Sequence, residues 1–327
     1  MNMLPALIPV LLVTLPFFAL VLCGYLAARR GMLPLLAIPG LNSFVLYFAL
    51  PCMLYRFGAS TPIAQLLDAA TGLTWLLCAL LSVGFVVAVS LNRRVRWNDA
   101  SFGALVAAFP NTGFMGVPLL VALLGPRAAG PAIVTILVDM VITTSLCIAL
   151  SRLDGADKHG SATAVKNALR GVLVNPLPWA ILLGGLASAS GFALPGPVNS
   201  TVGLLADAAS PVALFTIGAV LARSQMLQAQ AHEAPTPLAD YLPVAVFKLL
   251  IHPLLVLLVG ALVIRLGLPL DKFALTVMVL VAALPSASNV SLLAEKFQAN
   301  TGRIARIILV STATAFFSFS AAVALLT

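Results

Sequence analysis

The sequence predicts an all-α polytopic membrane protein of ten transmembrane helices, arranged as two inverted repeats of five helices each. Three observations support this fold class. Apolar segments of about 20 residues, long enough to span a bilayer, follow one another along the chain; glycines and prolines recur at one constant displacement; and a proline interrupts one apolar segment in each half. Since 61% of the 327 residues are hydrophobic and 9% are charged, no polar stretch is long enough to form a soluble domain.

The limits of the apolar segments give the predicted helices. They lie near residues 6–28, 36–55, 72–91, 100–124, 128–150, 173–190, 198–222, 241–265, 272–296 and 302–326. The first repeat is predicted to cover 1–150, a cytoplasmic loop 151–172, and the second repeat 173–327. An odd number of helices per repeat makes the second half enter the membrane in the opposite direction, so the two repeats are inverted.

The distribution of basic residues predicts the orientation. With the N-terminus outside, most of the 18 lysines and arginines fall in cytoplasmic connections. They are Arg29, Arg30, Arg93, Arg94, Arg96, Arg152, Lys158, Lys166, Arg170, Arg223, Lys296, Arg303 and Arg306. The positive-inside rule therefore predicts that both termini lie outside. The expected location is the plasma (inner) membrane. The basic residues that give the net charge of +8 lie in short loops. This distribution indicates membrane orientation and not nucleic acid binding.

Internal repetition relates the two halves. Its members are Gly24, Gly31, Pro51 and Gly58, which recur at the same spacing as Gly184, Gly191, Pro211 and Gly218. The segments 107–111 (Ala-Ala-Phe-Pro-Asn) and 282–286 (Ala-Ala-Leu-Pro-Ser) correspond with a slightly larger displacement. Inverted repeats allow two pseudo-symmetric states, which is the structural basis of alternating access in carriers.

The two prolines inside predicted helices indicate a binding site. The residues at the breaks are Pro110, Asn111, Thr112 and Gly113 in the fourth helix, and Pro285, Ser286, Ser288 and Asn289 in the ninth. A proline breaks the helix, and the new helix starts would present free N–H groups and partial positive charge to an anion such as a carboxylate. Paired interrupted helices are typical of substrate sites in secondary transporters. The alternative is a kink whose backbone groups are satisfied by neighbouring helices.

Ionisable side chains inside the predicted helices are few, because a charge is costly there. Away from the predicted helix ends they are Asp139 in the fifth helix, Asp207 in the seventh, and Lys248 and His252 in the eighth. Lys248 and His252 are four residues apart and share a helix face. His252 can carry a proton near neutral pH, with Asp139 as the alternative coupling residue. For all four, the competing interpretation is a structural polar contact between helices.

The sequence gives no support for an enzyme, a cofactor or a metal site. It contains no HExxH, Gly-x-Ser-x-Gly or phosphate-loop motif. An intramembrane aspartyl dyad of Asp139 and Asp207 would lack a supporting motif. The four cysteines all lie in apolar segments and predict neither disulfides nor a metal framework.

Several motifs resemble those of one known family. The matching residues are Asn42, Phe44, Val45, Phe48, Ala49 and Pro51; Pro110, Asn111, Thr112, Met115, Gly116, Pro118 and Leu119; Asn175 and Pro176; Asp207, Ala208, Phe215 and Gly218; and Ala282, Ala283, Leu284 and Pro285. On these residues the chain, over 1–327, resembles the auxin efflux carrier family, which includes plant PIN carriers and bacterial malonate-type carriers.

The resemblance implies a scaffold of helices 1, 2, 6 and 7 and a moving transport domain (an elevator) of helices 3–5 and 8–10, with helices 4 and 9 crossing. It also implies an organic anion bound beside the crossing, to which Asn42 and Asn175 are added as site residues, and a homodimer formed through the scaffold. Plant members have a long hydrophilic central loop that this chain lacks, which favours a malonate-like carboxylate over an auxin-like aromatic one.

The predicted function is therefore secondary active or potential-driven transport of a small organic anion by alternating access. An anion channel and a membrane receptor without transport remain the alternatives, and the paired breaks with the inverted repeat favour a carrier.

Overall fold

The computed structural model describes residues 4–155, 175–230 and 236–327. Within these ranges the chain is helical, and the β-type pairing consists of an isolated bridge between Pro110 and Ser286. The predicted all-α class is therefore confirmed. Most of the predicted loop 151–172, with Lys158, Lys166 and Arg170, lies outside the described residues.

Twelve longer helical segments are numbered here in chain order, and two short ones, Ile63–Leu66 and Arg152–Gly155, are left unnumbered. The twelve are α1 (Leu4–Arg29), α2 (Ile38–Ser60), α3 (Ala69–Ser90), α4 (Trp97–Ala108), α5 (Thr112–Leu124), α6 (Pro126–Ser151), α7 (Pro176–Ser190), α8 (Gly196–Gln230), α9 (Leu238–Arg265), α10 (Lys272–Ala283), α11 (Val290–Lys296) and α12 (Thr301–Leu326). Among the described residues, seven helices are long and apolar enough to cross a membrane: those containing α1, α2, α3, α6, α8, α9 and α12. Shorter apolar helices are α5, α7 and α10.

The chain divides into two compact units, each built from both halves of the sequence. Unit 1 comprises Met1–Asp68, Thr112–Val134 and Asn175–His232. Unit 2 comprises Ala69–Asn111, Thr135–Val174 and Glu233–Thr327. This division follows packing, whereas the predicted boundaries at 150 and 173 follow the sequence repeat, so those boundaries stay a prediction.

Unit 1 depends on glycines that let helix backbones touch. Where α1 packs on α8, a Cβ atom at Gly24 would overlap the carbonyl oxygen of Phe215, and a Cβ atom at Gly218 would overlap that of Val21. Small residues are the usual means of bringing membrane helices this close. The packing therefore excludes any side chain at these two positions.

The packing of α2 on α7 uses the partner glycines of the same repeat. A Cβ atom at Gly184 would lie 3.1 Å from the Cα atom of Gly58. Gly31 and Gly191, just after α1 and α7, have φ angles of 71° and 68°, in the left-handed region that glycine adopts without steric cost. Repeat-related glycines therefore have matching structural roles in the two halves.

Four π-helical segments interrupt the α-helices of the described chain. They are Val45–Ala49, Thr112–Gly116, Asp139–Thr143 and Phe247–Ile251. Short π segments within α-helices occur frequently at functional sites. Two of the four contain a buried charged residue, Asp139 and Lys248, and both of these belong to unit 2.

Candidate functional site

The two proline breaks meet within unit 2. After α4 and α10 end, the chain becomes extended, and the two extended stretches run antiparallel through the bridge described above. The N–H of Asn111 donates to the carbonyl of Pro285 at 2.8 Å, and the N–H of Ala287 donates to the carbonyl of Phe109 at 3.0 Å. Each break thereby satisfies backbone groups that the other leaves without a helical partner.

Polar side chains with unused hydrogen-bonding capacity lie at this crossing. Asn111 is 4% exposed, and its side-chain amide makes no hydrogen bond within the described residues. The hydroxyl of Ser286, which is 1% exposed, and the Oδ1 atom of Asn289 are also buried without a partner. Since buried polar groups are normally hydrogen-bonded, these three side chains are suited to binding a small polar ligand or water.

The other predicted substrate-binding residues lie elsewhere or have local roles. Ser288 is half-buried in the turn before α11, where its carbonyl accepts hydrogen bonds from the chain three residues on. Thr112 and Gly113 begin α5 and belong to unit 1, as do Asn42 in α2 and Asn175. The side chain of Asn175 caps α7 by accepting a backbone N–H at 3.0 Å.

The four predicted intramembrane charges divide between the units. Asp207 belongs to unit 1, where its carboxylate pairs with Arg56 at 2.6 Å; their side chains are 70% and 43% exposed. Asp139, Lys248 and His252 belong to unit 2, and each is 0% exposed. The structure therefore brings three of the four into one unit and gives Asp207 a separate, exposed partner.

Lys248 is the centre of a buried polar cluster in unit 2. Its Nζ atom donates to the carbonyl of Ala282 at 2.9 Å and lies 3.1 Å from Nδ1 of His252. A lysine ammonium has donors and no acceptor, so Nδ1 of His252 must accept. With Lys248 as an ammonium, the imidazole is neutral and carries its hydrogen on Nε2, which has no partner within the described residues.

Asp139 supplies the negative charge of this cluster. Its Oδ1 atom accepts from the hydroxyl of Thr143 at 3.0 Å, and it interacts electrostatically with Lys248 without a direct ion pair among the described residues. The indole of Trp75 lies beside the carboxylate, and its ring centroid is 5.6 Å from that of His252. Asp139 Oδ2 and Trp75 Nε1 are nevertheless outside hydrogen-bonding geometry. The cluster therefore combines one acidic and one basic side chain with three polar atoms that have no hydrogen-bond partner within the described residues.

Trp75 and Thr143 were not among the residues predicted from the sequence. Thr143 could have been anticipated, because it follows Asp139 by four residues and so lies on the same helix face. Trp75 could not, since an aromatic residue in an apolar helix is most often a packing residue and nothing in its neighbourhood marks it as a partner of Asp139.

Comparison with known proteins identifies the family. A family model described as "Membrane transport protein" matches residues 9–323. The chain belongs to the membrane transport protein family. This match confirms the resemblance found in the sequence motifs, and it extends over nearly the whole chain.

Three proteins named as transporters are similar to this chain over most of its length. A protein of Rhizobium meliloti named "Putative malonate transporter" is 29% identical over 303 residues, covering 91% of this chain and 90% of its own. The "Uncharacterized transporter YfdV" of Escherichia coli is 28% identical over 295 residues, with 88% of each chain covered. An "Uncharacterized transporter" of Methanothermobacter thermautotrophicus is 28% identical over 302 residues, covering 91% and 92%.

The family and the apolar helices agree on the setting of the protein. This member of the membrane transport protein family is a multi-pass membrane protein whose surroundings are a lipid bilayer. The family and the names of its relatives point to a transporter rather than to an enzyme.

Proposed function

We propose that this chain is a carrier that moves a small, malonate-like carboxylate across the plasma membrane by alternating access. The observation that carries the proposal is the crossing of two interrupted helices with Asn111, Ser286 and Asn289 beside it, each with an unused polar group. Discontinuous helices bind substrates near the membrane midplane in secondary transporters. The name of the Rhizobium meliloti relative supports a dicarboxylate as substrate.

The glycine contacts support the proposed inverted repeat of five plus five helices. The contact of Gly24 with α8 has a counterpart in that of Gly184 with α2, and the contact of Gly218 with α1 has one in that of Gly58 with α7.

We propose that α1, α2, α7 and α8 of unit 1 are the scaffold, through which a homodimer forms. The moving transport domain contains α3, α4, α9, α10, α11 and α12 of unit 2, with residues 135–151 of α6. Residues Thr112–Val134 group with unit 1, so the second half of the fourth predicted helix packs with the scaffold.

Transport into liposomes tests the proposal directly. Reconstituted protein is given a panel of labelled mono- and dicarboxylates, with auxin-like aromatic acids included, while the pH and Na⁺ gradients are varied. A carrier gives saturable uptake that is stimulated by unlabelled substrate on the opposite side. Uptake that rises linearly with concentration without such counterflow would indicate an anion channel, and no uptake of any carboxylate would favour a receptor.

Replacing Asn111 by alanine is expected to weaken substrate binding and leave the fold intact. The backbone N–H of residue 111 still donates to Pro285, so the crossing is kept. Loss of a hydrogen bond to a charged carboxylate costs about 1.5–3 kcal/mol, on the order of 10- to 150-fold in affinity. The half-saturation concentration for uptake measures this effect. Asn199→Ala, at an exposed asparagine, is the matched control; equal half-saturation in both variants would remove Asn111 from the site.

Proton coupling is expected to run through Asp139 or His252. His252 is neutral in this structure, and a proton on its Nδ1 would compete with the ammonium of Lys248, 3.1 Å away. Uptake that depends on pH in the wild type should lose this dependence in His252→Gln or Asp139→Asn, while exchange of substrate for substrate continues. Unaltered pH dependence in both variants would instead support a carrier driven by membrane potential alone.

The proposed orientation places both termini outside the cell. In a background without native cysteines, single cysteines near either terminus should react with an impermeant thiol reagent added to intact cells. Cysteines introduced at Lys158 and Gln228 should react only after the membrane is permeabilised. If the termini also react only after permeabilisation, the proposed orientation is wrong.

A further inference from the structure

The break in α10 leaves a carbonyl that a side chain satisfies. In an uninterrupted helix, the carbonyl of Ala282 would accept the N–H of Ser286. The break redirects this N–H, which donates instead to the hydroxyl of Ser311 at 3.3 Å. The ammonium of Lys248 lies 2.9 Å from the oxygen of Ala282 and takes the place of the missing donor.

This carbonyl belongs to the end of a helix that attracts positive charge. The C-terminal end of a helix carries a partial negative charge and unpaired carbonyls. In transporters with discontinuous helices, such ends coordinate the coupling cation. Asp139 interacts electrostatically with Lys248, and both side chains are fully buried. Within the described residues the Oδ2 atom of Asp139 has no hydrogen-bond partner.

We propose that the ammonium of Lys248 replaces a dissociable cation. It holds the C-terminal end of α10 in the crossed arrangement and occupies the position where such a cation would otherwise bind. It is a positioning residue, since it acts on the substrate site through the break at Pro285. Removing its side chain should then leave the carbonyl of Ala282 without its donor and open to a small ammonium ion. The inference rests on the proposed function only for its transport readout.

Thermal unfolding of purified protein in detergent tests this role without any transport substrate. The wild type should be equally stable in Na⁺ and in choline, because no cation has to bind. Lys248→Ala should unfold at a lower temperature, and methylammonium should restore part of the loss because it supplies the same charged donors. Tetramethylammonium, which has no N–H donor, should not. Lys272→Ala removes an exposed lysine of the same unit and should respond to none of these ions.

In liposomes, Lys248→Ala should take up substrate more slowly than the wild type, because the end of α10 is no longer held in the crossed arrangement, and methylammonium should accelerate it. Lys248→Ala with wild-type stability, or with a loss that methylammonium does not reduce, would overturn the inference. If Lys248→Ala yields no folded protein, the wild type decides. A higher unfolding temperature in Na⁺ than in choline would overturn the inference, and equal unfolding temperatures would support it. A wild type that transports no carboxylate contradicts the proposed function alone, because the unfolding experiments still decide the role of Lys248.

Discussion

Gly218→Val is expected to yield no folded unit 1. The backbones of α1 and α8 touch at this point, and even a Cβ atom at residue 218 would overlap the carbonyl oxygen of Val21. Since the obstacle is backbone and not a flexible side chain, the two helices would have to separate. Overpacking of a well-packed core typically costs about 1–3 kcal/mol and sometimes more, and separating α1 from α8 places this variant at or above the upper end of that range.

Size-exclusion chromatography of the detergent-solubilised protein, followed by thermal unfolding, measures the effect. Gly203→Ala is a matched control in the same helix, because a Cβ atom there meets nothing within 4 Å. Alanine favours a helix over glycine by about 0.8–1.0 kcal/mol, so this variant should be as stable as the wild type or more so. A folded Gly218→Val protein with normal thermal stability would show that α1 and α8 do not approach this closely.

Asp139→Ala is expected to be the most destabilising change in unit 2. It removes the carboxylate that balances Lys248 in a place without solvent, and breaking one side of a buried charge pair costs about 3–5 kcal/mol. The double variant Asp139→Ala/Lys248→Met should recover part of this loss, because both charges are then gone. The comparison of single and double variants isolates the interaction between them.

The exposed pair of Arg56 and Asp207 provides the control for this experiment. Its side chains are 43% and 70% exposed, and exposed ion pairs contribute about 0–1 kcal/mol. Asp207→Ala should therefore change thermal stability little. An Asp139→Ala protein that is no less stable than Asp207→Ala would show that the carboxylate of Asp139 does not stabilise the buried charge of Lys248.

The two breaks could be predicted from the sequence because proline acts locally. Pro110 and Pro285 end their helices wherever the rest of the chain goes, and α4 and α10 do end just before them. The hydrogen bonds that join the breaks could not be predicted in the same way. The carbonyl that accepts the N–H of Asn111 depends on the relative positions of two helices that are distant in sequence. The sequence pattern does not determine those positions.

The polar cluster shows the same limit for side chains. Lys248 and His252 could be placed together because four residues separate them on one helix. Their association with Asp139 and the separate pairing of Asp207 with Arg56 depend on how each helix is rotated about its axis. Apolar residues surround all of these positions on the helices, so periodicity does not determine that rotation.

The hydrogen bonds that hold the crossing together have a consequence for substrate selectivity. The amides of residues 111 and 287 are already engaged with carbonyls of the opposite break, so they contribute nothing to the recognition of a ligand. In the carrier proposed above, selection among carboxylates would fall instead to the side chains at positions 111, 286 and 289, which are not part of these backbone hydrogen bonds. A protein built in this way can change its substrate through a few substitutions while its architecture stays the same.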